Sequence, residues 1–135
     1  MRENPHPPPL HTHNLSLPGF SKAKNDLWTL GKKCRAVLEK RGYKSVSRDG
    51  VQSPGVVVSY SSDPNMVQLF KEQGIQIAGG CPFKLDEPDG LITFRIGLFG
   101  LDKIRDIDGT VAVLEKALDA LDALGKKSKC PVASK

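Results

Sequence analysis

From Ser21 the apolar residues fall into a helical rhythm. Ala23, Leu27, Leu30, Cys34 and Val37 follow one another at steps of 4, 3, 4 and 3, which gathers them on one face, and Gly42 ends the run. Tyr43 to Ser47 alternates weakly, as a short strand would, before the turn-forming Arg48-Asp49-Gly50 and Ser53-Pro54-Gly55. Val56-Val57-Val58-Ser59-Tyr60 reads as a second strand, and its unbroken apolar run predicts a central place in the sheet. Asp63-Pro64 has the chemistry of a helix start, with Val67 and Phe70 turned inward and Gly74 as the stop. Ile75 to Ala78 alternates as a strand and is broken by Gly79-Gly80-Cys81-Pro82. Leu91 to Ile96 is the clearest strand: alternation sends Ile92, Phe94 and Ile96 to one face and Thr93 and Arg95 to the other. Asp106 or Asp108 opens a last helix, in which Ile107, Val111, Leu114, Leu118 and Leu121 repeat the 4, 3, 4, 3 spacing, and Gly125 closes it.

Two amphipathic helices, a short one and several short strands predict an α+β fold, a two-layer sandwich in which a small, mainly antiparallel sheet is covered by helices. The periodic region spans residues 19–125. Residues 1–18 hold five of the ten prolines and all three histidines with almost no charge, so they are expected to form a disordered Pro/His-rich leader. Residues 126–135 read as a basic flexible tail. At 135 residues there is room for one core, in which roughly two thirds of the unfolded surface can be buried.

Charge changes this picture little. The net charge of +5 comes from lysines and arginines spread among acids, which is the pattern of a solvated surface, and nucleic-acid binding is not expected from it. Cys34, Cys81 and Cys130 are odd in number and far apart, so neither a disulfide framework nor a zinc site is indicated, and a reducing compartment, the cytoplasm, fits. Cys34 lies on the apolar stripe of the first helix, where a buried inert thiol is the simpler reading. No run reaches the roughly 18 apolar residues that span a bilayer, and no membrane association is expected.

Candidate chemistry is sparse. His11-Thr12-His13 lacks a third ligand, and the carboxylates of Asp86-Glu87-Pro88-Asp89-Gly90 lack a histidine or cysteine at metal spacing; both read as solvated loops, with no metal site. Trp28 flanks the first apolar stripe as a packing residue. The double glycine Gly79-Gly80 allows either an ordinary turn or the close approach of a ligand to backbone. No nucleophile, base and orienting group occur together and no phosphate-binding loop is present, so no catalytic residue is assigned.

Three blocks carry a family likeness: Gly55-Val56-Val57-Val58-Ser59-Tyr60, Gln73-Gly74-Ile75-Gln76-Ile77-Ala78-Gly79-Gly80, and Thr93-Phe94-Arg95-Ile96-Gly97-Leu98-Phe99-Gly100. Together with the flanking helices, over roughly residues 19–125, they resemble the carboxy-terminal small domain of class V, fold-type I pyridoxal-phosphate-dependent aminotransferases, the serine–glyoxylate and alanine–glyoxylate group. The resemblance implies amino-group transfer from an amino acid to a 2-oxo acid such as glyoxylate, with Arg95 binding the substrate carboxylate. It also implies that the Schiff-base lysine, the partner of the pyridine nitrogen and the phosphate loop belong to a large domain, so that this chain alone binds no pyridoxal phosphate and needs that large domain, missing or on another chain, as its partner. Lys22, Lys24, Lys32 and Lys33 lie on a solvated helix surface and do not replace that lysine. For Arg95 the alternative is a surface salt bridge; for the chain, a basic α+β binding module or a degenerate fragment without activity.

Overall fold

In the computed structural model, residues 17–125 are described; the leader expected at 1–18 lies outside them except for Leu17 and Pro18, which are helical, and the tail expected at 126–135 lies outside them. Helix α1 runs over Leu17–Lys40, strand β1 over Val56–Ser61, helix α2 over Met66–Glu72, strand β2 over Ala78–Gly79, strand β3 over Ile92–Gly97, helix α3 over Leu101–Arg105 and helix α4 over Ile107–Ala123. The helices partly cover one face of a three-stranded antiparallel sheet of order β1-β3-β2, the expected α+β two-layer arrangement.

Of the predicted stripe of α1, Leu30 and Cys34 are in the core and Leu27 and Val37 pack against it; Leu38, outside the predicted set, is buried beside them. Gly42 takes a positive φ of 91°, and the Tyr43 N–H turns back to the Leu38 carbonyl at 2.9 Å, satisfying an acceptor that the helix end would leave free. At the other end of the chain the Asp106 carboxylate accepts the Gly109 N–H at 2.9 Å, so of the two candidate caps Asp106 is the one used. Leu114, Ala117, Leu118 and Leu121 of α4 are buried as the spacing requires.

Helices α1 and α4 meet through charges as well as through leucines. Lys33 lies 2.5 Å from Asp108, and Arg41 reaches both Asp122, at 2.7 Å, and Asp119. Lys33 precedes Arg41 as Asp108 precedes Asp119 and Asp122, so the two helices run in the same direction.

The strands depart from expectation in extent and order. Tyr43 to Ser47 forms no strand; it contributes the isolated bridge Ser45 to Ser59 and two flanking bonds, Val46 N–H to the Val58 carbonyl and Tyr60 N–H to the Lys44 carbonyl. The strand expected at Ile75 to Ala78 shrinks to Ala78–Gly79. The apolar β1 is first in the order, and β3 is central, because both neighbours hydrogen-bond to β3. The continuous apolar run of β1 has another cause: Val57 enters the core while Val56 and Val58 are half-covered on the opposite face. Helix α2 starts at Met66, after a turn in which the Asp63 carboxylate accepts the Asn65 N–H at 2.8 Å. The five residues of α3 were hidden by the absence of a full period.

The core centres on Phe94. Its ring meets Tyr43 edge-on, with centroids 5.6 Å apart, and Phe70 at 5.8 Å. Such contacts add to the burial of large apolar area, about 0.5–1.5 kcal/mol per pair. Phe94→Ala is expected to lower the free energy of unfolding by about 3–5 kcal/mol, a large share of a small domain's stability. Urea unfolding followed by circular dichroism reads this; a loss below about 1 kcal/mol would contradict the central packing of that ring.

Cys34 is 1% exposed, and burial pushes its thiol up to about 11, against the smaller opposing pull of the Arg35 guanidinium. A folded-state value above the unfolded one means that folding favours the protonated thiol. The stability tied to it is complete below the ordinary value of about 9 and is lost as pH rises towards about 11. Cys34→Ala is therefore expected to flatten the fall in stability of the wild type over that window, measured by denaturant midpoints at successive pH values. Equal slopes for the two proteins would count against a buried thiol.

Candidate functional site

Strand pairing decides what each face of the sheet presents. Val57 pairs with Ile96 and Ser59 with Phe94 on the helix-covered face; Val58 pairs with Arg95, Ala78 pairs with Arg95 from the other side, and Val56 pairs with Gly97 on the opposite face. Arg95 thus stands in the middle of the uncovered face and is exposed, as the alternation predicts. Around it Val56, Val58, Tyr60 and Ala78 are half-buried and uncharged. No ion pair among the described residues involves Arg95, so the surface salt bridge weighed against a ligand role is not formed there.

A groove of about 460 Å³ opens beside the guanidinium, lined by Val56, Gln76, Ile77, Ala78, Arg95 and Gly97. It offers one cation with parallel N–H donors and one carboxamide on an apolar floor. A planar guanidinium of this kind accepts a carboxylate through two parallel hydrogen bonds, which fixes orientation together with charge.

Gly80 resolves one of the alternatives left by the sequence. Its N–H donates to the Thr93 carbonyl at 2.8 Å, and a Cβ at this position would lie 1.7 Å from the Thr93 hydroxyl oxygen. The close approach that requires glycine is to the side chain of Thr93, which this segment covers to 8% exposure. A larger hollow, about 640 Å³, follows in the loop from Gly80 to Thr93. Its Glu87 carboxylate is occupied by the N–H groups of Lys84 and Leu85, at 2.9 and 2.7 Å, and these bonds hold its carboxyl below the usual range. Glu87 thus staples the loop to itself, and the side chains of Cys81, Lys84, Asp86 and Asp89 also line the hollow.

Arg35 escaped sequence reasoning. On the helix wheel it looks like one more surface charge, yet it is 5% exposed, and its guanidinium donates to the carbonyls of Ser53 and of Val56, the latter at 3.0 Å. Desolvation pulls its pKa down. It clamps the 53–56 segment to α1 and so sets the entry of β1 beside the Arg95 groove. Close by, Phe99 lies over Gly55, where a Cβ would come within 2.2 Å of the ring.

The described lysines do not make a pyridoxal-phosphate site. An imine-forming lysine is set in a desolvated pocket that lowers its pKa, whereas every described lysine except Lys103 is exposed, Lys22, Lys24, Lys32 and Lys33 included. Lys103 is half-buried and donates to the Phe99 carbonyl at 3.2 Å. Among the described residues no group of three His, Cys, Asp or Glu side chains is placed to hold a metal ion, and no helix is long and apolar enough to cross a membrane.

No family model and no curated protein matches the chain. Solved structures do. The serine palmitoyltransferase of Sphingomonas wittichii superimposes with a TM-score of 0.56 at 19% identity over 76% of this chain. A high-resolution structure of SPT with a PLP internal aldimine gives 0.53 at 14% over 76%, and a serine palmitoyltransferase variant from S. paucimobilis with bound PLP-myriocin aldimine gives 0.50 at 15% over 77%. In each case the match covers 26% of the other chain. The described residues therefore share the fold of a segment that makes up about a quarter of serine palmitoyltransferases.

Proposed function

We propose that this chain is the small domain of a pyridoxal-phosphate-dependent aminotransferase of the serine–glyoxylate or alanine–glyoxylate kind, in which Arg95 binds the carboxylate of the amino or 2-oxo acid. The observation that carries the reading is the guanidinium, without an ion-pair partner among the described residues, at the centre of a sheet face whose other described strand residues are uncharged. A one-sided sheet leaves apolar surface that a larger partner would cover, and a bare guanidinium within that surface selects an anionic group. The sequence likeness is to glyoxylate aminotransferases and the structural likeness to serine palmitoyltransferases; both involve pyridoxal phosphate, the first through the family resembled, the second through the PLP named in two of the structures.

The division of labour follows from the chemistry. Pyridoxal phosphate, held by a large domain, would supply the electron sink, and this chain would supply orientation and closure over the bound acid in a cytoplasmic enzyme. A carboxylate held in two places can rotate little, so its α-carbon is presented in one pose, and an ammonium in place of the guanidinium would retain charge without that constraint. Alone, the chain is expected to neither retain pyridoxal phosphate nor transaminate.

The test separates fold from function. In the isolated chain Arg95→Ala should alter unfolding free energy by no more than about 0.5 kcal/mol, since the side chain is exposed and forms no ion pair among the described residues. When the chain is joined to the large domain of a related aminotransferase, the same change should lower kcat/KM for carboxylate substrates about 10- to 150-fold, the equivalent of losing about 1.5–3 kcal/mol of charge-assisted contact. Arg95→Lys should fall between. Destabilisation of the isolated chain with unchanged kcat/KM in the joined enzyme would make Arg95 a structural residue.

A further inference from the structure

The pairing of β2 with β3 breaks off at the Arg95 groove. Leu98 donates its N–H to the Gly55 carbonyl at 2.9 Å, so the backbone groups of Leu98, Ile96 and Phe94 turn to β1 and those of Gly97, Arg95 and Thr93 to the other side. There Gly80 meets Thr93 and Ala78 meets Arg95. Gln76 comes next in register, opposite Gly97, yet no backbone hydrogen bond joins the two. Gly97 is exposed, and it turns an N–H and a carbonyl without backbone partners among the described residues towards Gln76, in the groove that both residues line.

The side chains of this corner are as free as its backbone. Ile77 is in the core, so its neighbours Gln76 and Ala78 face the opposite way, on the side of Arg95. Gln76 is exposed, and its carboxamide makes no hydrogen bond among the described residues. Packing does not demand glycine at 97, because a Cβ there would meet no atom within 4 Å. Its missing side chain leaves open the space on the face that Arg95, two residues earlier, also occupies.

We propose that Gln76 and Gly97 determine which acid the groove accepts: a small one whose short side chain carries a hydroxyl or another hydrogen-bonding group. The carboxylate rests on Arg95, the side chain occupies the space over Gly97, and its polar end meets the Gln76 carboxamide, which can both donate and accept. Arg95 and Gln76 are diagonal neighbours across the strands, about 7–8 Å apart at the backbone, a span that a small acid held between two long side chains fills. An apolar side chain of the same size would strip water from the carboxamide and from the Gly97 N–H without replacing the lost bonds. The proposal rests on the carboxylate reading of Arg95 and adds what selects among small acids.

Nuclear magnetic resonance titration of the isotopically labelled full chain with 3-hydroxypropionate and with butyrate tests the proposal, since these acids match in size and differ by a hydroxyl in place of a methyl. Both should shift the Arg95 side chain, and 3-hydroxypropionate alone should shift the Gln76 side-chain amide. It should bind about 2- to 10-fold more tightly, the worth of one hydrogen bond. Gln76→Met, similar in length but without the amide, should erase that preference. Gly97→Val should keep the thermal midpoint of the wild type and, by filling the groove, weaken both acids about 10-fold or more. A lowered midpoint in that variant would make Gly97 structural, and unchanged affinity would remove it from the site. If both acids shift Arg95 with equal affinity and the Gln76 amide stays silent, the selectivity is wrong while the carboxylate role stands. If neither acid shifts Arg95, the carboxylate role fails, and the selectivity with it.

Discussion

The register of β3 against β1 is the constraint on which everything else in this domain rests. Val57 opposite Ile96 and Ser59 opposite Phe94 direct one set of side chains at the helices, and Val58 opposite Arg95 directs the other set at solvent. A slip of one residue would exchange the two sets, because side chains alternate along a strand. Arg95 would then be driven into the aromatic cluster of Tyr43 and Phe70, and Phe94 would face water. Packing around Phe94 and exposure of Arg95 are thus one fact seen from two sides of the sheet. Arg35 reinforces it by tying the segment before β1 to α1, which fixes where that strand begins.

Much of this was legible from residue order alone, for identifiable reasons. The α1 and α4 stripes are long enough for periodicity to be unambiguous, and Leu30, Cys34, Leu114, Leu118 and Leu121 are buried accordingly. The alternation in β3 placed Arg95 on the outer face correctly. Short elements were less readable. Two residues at Ala78–Gly79 and five at Leu101–Arg105 contain less than a full pattern, and their extent is set by tertiary contacts such as the Gly80 to Thr93 bond. Strand order was misjudged because an apolar run is the same whether a strand is flanked by two strands or half-covered by loops on its outer face. Arg35 was missed because burial of a charge by carbonyl oxygens far along the chain leaves no local signature.

The site itself divides in the same way. That Arg95 is accessible followed from alternation, and what it would bind came from the likeness of the surrounding residues to a family; the groove beside it, which gathers Val56, Gln76, Ile77 and Ala78, comes from strand pairing between segments far apart in the chain, which no local pattern announces.

Parallel packing of α1 and α4 has a practical consequence for anything attached to this domain. Lys33 meets Asp108 near the start of α4, whereas Arg41 meets Asp119 and Asp122 near its finish. The first turn of α1 lies sixteen residues before Lys33 and Gly125 seventeen after Asp108, so Leu17 and Gly125 stand at opposite poles, on the order of 40–50 Å apart at 1.5 Å per helical residue. A fluorophore or tether placed at one pole would report on surroundings remote from the other, and two such labels would measure the length of the helical layer without touching the sheet face that carries Arg95.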